Sequence, residues 1–183
     1  MTTLAIGAAM LPVEAVLTGC IGADVVIAAI GAAAQIAASA ANILSPVNPS
    51  TANVLGVVAK DLLLIQNLYQ QYETAAAGDK PGLASQIQAI ITTVTGNLTA
   101  ILSAVRIANP TLVTYISVGI AVVNSAITII ISHLPPAVKT AALAKRAAGP
   151  PLPEVQGAKS SKDLKKAWND ASVANGHPEA VVK

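Results

Sequence analysis

Four long segments of this chain place apolar residues at alternating spacings of three and four, and that period is the signature of an amphipathic α-helix. Between 23 and 44 the set is Val26, Ile30, Ala33, Ala37, Ala40 and Leu44. Between 51 and 77 it is Leu55, Val58, Leu62, Ile65, Tyr69, Tyr72 and Ala76. Between 81 and 108 it is Ile87, Ile91, Val94, Leu98, Ile101 and Val105, and between 111 and 134 it is Val113, Ile116, Ile120, Val123, Ile127, Ile130 and Leu134. A strand requires a period of two, so the Val and Ile content of the fourth segment does not outweigh its spacing.

The breaks between the segments are equally plain. Ser45-Pro46-Val47-Asn48-Pro49 stops the first helix, because proline lacks an amide donor and biases its predecessor away from α. Ser50 is expected to cap the second helix and Asp79 the third. Gly78 is expected to end the second, Asn109-Pro110 to start the fourth and Pro135-Pro136 to stop it. Short connections favour antiparallel neighbours, so the expected fold is all-α, an antiparallel four-helix up-down-up-down bundle over 21–134. Ala29, Ala33, Ala37 and Ala41 form a small-residue row that lets a neighbouring helix come close.

Apolar residues make up 54% of the chain and charged residues 11%, against about 25% charged in a typical soluble domain. With no Phe, one Trp and three Tyr, the core must be aliphatic. Residues 25–59, 81–105 and 107–138 hold no charged side chain, so spans of a bilayer stay open as a reading, helix 111–134 first among them. Against it, that helix keeps a polar seam of Thr114, Ser117, Asn124, Ser125, Thr128 and Ser132. The second helix carries Lys60, Asp61, Glu73 and several amides, a composition unsuited to hydrocarbon.

Charge is unevenly placed. Residues 1–133 hold three basic and five acidic side chains, whereas 134–183 hold eight basic and four acidic. The segment 135–183, rich in Pro, Gly and Lys, reads as a flexible basic tail with linker composition up to about 160 and a short helix at 161–172 capped by Ser161. Leu164 and Trp168 sit at i and i+4 there, flanked by Lys165 and Lys166, and these four are the expected contact to a membrane surface or to a partner, the bundle itself included. Nucleic acid is not expected as a partner, because the bases are dispersed and Trp168 alone offers a tryptophan face for stacking.

Residues 1–20 read MTTLAIGAAMLPVEAVLTGC, an apolar stretch ending at the only cysteine. Leu17-Thr18-Gly19-Cys20 resembles the lipobox of bacterial lipoprotein signal peptides: a leucine, two small residues and the cysteine that becomes lipidated. The resemblance covers this segment alone. It implies diacylglycerol on the Cys20 thiol, cleavage after Gly19 and an anchor of palmitate-type acyl chains in a bacterial cell envelope. Signal peptides open with basic residues. The first base here is Lys60, which an upstream start supplying basic residues would explain, and Glu14 interrupts the apolar run, which it would not. The alternative for Cys20 is a buried thiol on an ordinary apolar helix.

Catalytic chemistry finds no foothold in the sequence. One cysteine excludes an intrachain disulfide, and His133 and His177 lie too far apart in sequence to suggest a zinc site. His133 is placed to serve a helix C-terminus, and His177 has no expected partner. Nothing matches a phosphate-binding or dinucleotide glycine pattern. The expectation is a non-enzymatic, exported helical lipoprotein acting as an envelope scaffold or binding module, without metal or cofactor. The alternatives are a small membrane protein of the holin or pore-forming kind and a carrier of an apolar ligand. The same stripes also suit self-association.

Overall fold

The computed structural model describes residues 22–183 apart from 109, and their side chains apart from those of 105–112 and 114. The lipobox segment and the Asn109 cap lie outside the described residues. Among the described residues the regular structure is six α-helices and one short 3-10 turn: α1 Ala23–Leu44, α2 Pro49–Thr74, α3 Lys80–Ala108, α4 Pro110–His133, α5 Pro136–Ala147 and α6 Ser161–Ala174, followed by a turn at Pro178–Ala180. The described residues are all-helical, with no strand among them.

The expected stripes form most of the core, but Tyr72 is only partly buried and Ala76 lies exposed beyond the end of α2. Val26, Ile30, Ala33, Ala37, Ala40 and Leu44 of α1 are buried, as are Leu55, Val58, Leu62, Ile65 and Tyr69 of α2. Ile87, Ile91, Val94, Leu98 and Ile101 of α3 meet Ile116, Ile120, Val123, Ile127 and Ile130 of α4 in the same continuous cluster. Helix α1 packs on α2 and α4, and α3 packs on α2 and α4. Gly31 lies where α2 approaches closely: a Cβ there would stand 3.0 Å from Gln66 Nε2, which donates to the Ile27 carbonyl at 3.0 Å.

Helix ends depart from expectation in three places. Asn48, not Ser50, caps α2, its Oδ1 accepting from the Thr51 amide at 3.1 Å, and Pro49 takes the first turn, where its missing donor costs nothing. Helix α2 ends at Thr74, short of Gly78. Ser160, not Ser161, caps α6 in a reciprocal box with Asp163.

The larger correction concerns residues 135–183, which form no loose tail. Residues Pro136–Ala147 are helical because Pro136 suits a first turn and the Ala-rich stretch after it favours helix. Helix α5 packs on α3 and α4, and α6 packs on α1 and α4. The consequence is visible in α1 and α4, which bury a second face beyond their stripes: Ala32, Ala34 and Ile36 on α1, and Ala121, Val122, Ile129 and Ile131 on α4. Trp168 is fully buried at the α6 contact. Its ring lies 4.7 Å from Tyr115, and its Nε1 donates to the Ala180 carbonyl at 2.8 Å. Gly119 makes room for it, since a Cβ there would come within 3.1 Å of the indole. Ser39 Oγ donates to the same Ala180 carbonyl at 3.1 Å, and Asn169 exchanges two hydrogen bonds of 2.9 Å with the Val182 backbone. These bonds hold the last residues against α1 and α6.

The α6 cap gives a measurable prediction. Backbone amides of Lys159 and Ser160 and the Ser160 hydroxyl hold the Asp163 carboxyl below its ordinary value of 3.8. A lowered value stabilises the fold above 3.8, and that support is lost as pH falls through the lowered value. Ser160→Ala is expected to cost about 1 kcal/mol in urea unfolding at neutral pH.

Candidate binding site

The most apolar helix has polar residues at its midpoint, and their partners come from the segment after α5. Asn124 is 1% exposed. Its Nδ2 donates to the Pro153 carbonyl at 3.1 Å and lies 3.3 Å from Glu154 Oε1, while its Oδ1 accepts from Arg146 Nη2 at 2.6 Å. Ser125 Oγ accepts from the Val155 amide at 2.9 Å. Arg146 also donates to Thr128 Oγ1 at 3.0 Å and pairs with Glu154 at 3.0 Å. The guanidinium is mostly buried and the carboxylate half exposed. This clamp ties the end of α5 and residues 152–155 across the middle of α4.

A cleft of about 330 Å³ opens beside the clamp, between α3 and α5. Ile91, Thr95 and Gly96 come from α3; Ala142, Lys145 and Arg146 come from α5. A second recess of about 470 Å³ shares Thr95, Arg146, Gly149 and Pro150 with it and runs to Glu154. The hydroxyls of Thr92, Thr95 and Thr99 donate to carbonyls one turn back on α3, at 3.0, 2.8 and 3.1 Å. They therefore bring chiefly methyl surface to the cleft. Its volume lies at the lower end of small-molecule sites, roughly 300 Å³ and above.

The four residues expected to contact a membrane or partner separate into two groups. Leu164 and Trp168 are fully buried and face the chain's own α1 and α4 side, which corrects a membrane role for them in this fold. Lys165 Nζ donates to the Lys183 backbone carbonyl, and the exposed Lys166 pairs with Asp170 at 2.5 Å. Cys20 lies outside the described residues. His133 Nδ1 lies 2.8 Å from the Ile129 carbonyl, at the end of α4. His177, for which no partner was expected, stands 5.2 Å from the Tyr115 ring and pairs with Glu179 at 3.0 Å. Burial pushes the Tyr115 phenol up to about 12, so it stays neutral and serves as a packing group. No group of three or more His, Cys, Asp or Glu able to hold a metal occurs among the described residues.

Arg146, Glu154 and Lys145 were not singled out from the sequence, because they stand in a stretch with linker composition. One signal pointed to them: an amide, Asn124, at the centre of an otherwise aliphatic helix needs a buried partner. Comparison with protein-family models, with curated proteins and with solved structures gave no match.

Proposed function

We propose that this chain is a non-enzymatic helical binding module of a bacterial envelope, tethered by lipid at Cys20 and held beside the membrane rather than through it. Its first four helices are read as an up-down-up-down bundle, which the short connections and the pairwise packing of α1 to α4 support. The observation that carries the reading is how the apolar surface is used. Among the described residues three helices, Ala23–Leu44, Lys80–Ala104 and Tyr115–His133, are long and apolar enough to cross a membrane. Yet the most apolar of them, in α4, is 78% buried inside the protein, and an arginine and a carboxylate stand at its middle. In hydrocarbon that clamp would put a charged pair near the bilayer centre, at a cost of several kcal/mol.

The tether fits the start of the fold. Gly22 is extended and α1 begins at Ala23, so the bundle starts three residues after Cys20. A cleaved, acylated chain then carries its folded part directly on the membrane surface. The test is the intact mass of the mature protein made in a bacterial host from its native start. The expected species begins at Cys20 with added acyl mass; an unmodified chain that keeps residues 1–19 ends the lipoprotein reading.

A membrane-inserted form is the second reading, and α3 favours it. Only 33% of its apolar window is buried, and its exposed face, Gln86 apart, is made of small and hydroxylated residues without charge. Leakage of a dye from anionic liposomes separates the two: the tethered module leaves them intact, and a pore former empties them.

A further inference from the structure

The cleft between α3 and α5 has an electrostatic character that its lining alone does not convey. From Pro81 to Pro153 the chain contains no carboxylate side chain, yet it contains Arg106, Lys139, Lys145 and Arg146. Helices α3 and α5, which form its walls, thus carry bases and no acid. The nearest acid in sequence, Glu154, is held by Arg146, whose guanidinium is already shared among Asn124, Thr128 and that carboxylate. Lys145 is different. It is exposed, lines the cleft and takes part in no ion pair among the described residues. Such a site offers an apolar trough of aliphatic side chains, Thr methyls and Pro150 with one free ammonium at its edge.

We propose that this cleft binds a single-chain amphiphile with an anionic head, of the fatty-carboxylate class. The acyl chain lies along Ile91, Gly96 and Ala142, and the carboxylate meets Lys145. A zwitterionic or cationic head finds no acid on either wall to receive it. The volume, about 330 Å³, suits a medium chain rather than a two-chain lipid. This inference rests on the reading of the chain as a binding module and names what it binds. It is independent of the tether at Cys20, which the intact mass tests separately.

Gly96 provides a clean test. Gly96 lines the cleft, and a Cβ at this position meets nothing within 4 Å, so the position is open to a side chain. Replacing a mid-helix glycine also raises helix propensity. Titration calorimetry of the full chain with decanoate, below its micelle concentration, is expected to show one site. Decyltrimethylammonium is expected to bind at least tenfold more weakly. Gly96→Leu is expected to melt no lower than the parent and to lose decanoate binding. Lys145→Glu, a change on the exposed rim, is expected to weaken decanoate by tenfold or more and to narrow the preference over the cationic analogue. The proposal is overturned by a folded parent that does not bind decanoate, by equal affinity for the two amphiphiles, or by binding that survives both substitutions.

Discussion

Trp168→Ala is expected to lower the stability of the chain by about 3–5 kcal/mol, the range for truncating a fully buried tryptophan. The loss has three sources. The indole vacates a buried site between α1, α4 and α6, the Tyr115 ring loses its neighbour at 4.7 Å, and the Ala180 carbonyl loses one of its two donors. Urea unfolding followed by far-ultraviolet circular dichroism measures it. A companion substitution shows that the indole is the cause. Gly→Ala inside a helix ordinarily stabilises by about 1 kcal/mol. At Gly119 the new methyl would stand 3.1 Å from an indole pinned by its contact with the Tyr115 ring and by its hydrogen bond, so Gly119→Ala is expected to destabilise. In the Trp168→Ala background the same change fills space and is expected to stabilise. A change of sign between the two backgrounds is a coupling that no simple loss of helix propensity produces.

Arg146→Ala has the next largest expected effect, about 2–3 kcal/mol. Asn124 Oδ1 then sits in the interior without its donor, and a buried polar atom left unpaired costs about 1–3 kcal/mol. Loss of the Thr128 bond and of the Glu154 pair adds to that. Glu154→Gln should cost less than about 1 kcal/mol, because the carboxylate is half exposed and screened by water. Both are read from the same urea midpoints. Equal effects of the two substitutions would mean that the ion pair, and not the buried amide, is what the clamp depends on.

Much of the fold was legible because a helix period is a local property. Val26, Ile30, Leu62, Ile91 and Ile127 declare their faces through their spacing alone, and all are buried. Caps were less legible. Asn48 and Ser50 both suit a helix start, and Pro49 decides between them by occupying the first turn. The helical character of 136–147 was hidden by the prolines on either side of it, which read as a linker when they serve as boundaries. What could not be read locally was the docking of α6. Leu164 and Trp168 form an amphipathic pair that would suit a membrane as well as a protein. Only the tertiary arrangement shows that α1 and α4 each have a second apolar face for them. The same holds for the clamp: the need of Asn124 for a partner is visible in the sequence, but the identity of that partner, more than twenty residues away, is not. The candidate cleft was not legible as a shape, although the absence of acids between Pro81 and Pro153 was there to be counted.

The chain covers its own apolar helices with α6, and on the proposed reading the folded unit stands in water beside a membrane. Trp168 is the only tryptophan, which makes the chain its own probe. The direct measurement is its fluorescence in detergent-free buffer with vesicles of anionic lipid, quenched in parallel by acrylamide from the water and by brominated acyl chains from the bilayer. Burial inside the protein predicts a blue-shifted emission that neither quencher reaches. Strong quenching by the brominated lipid would contradict the account, since it would show α6 released from α1 and α4 and lying in hydrocarbon.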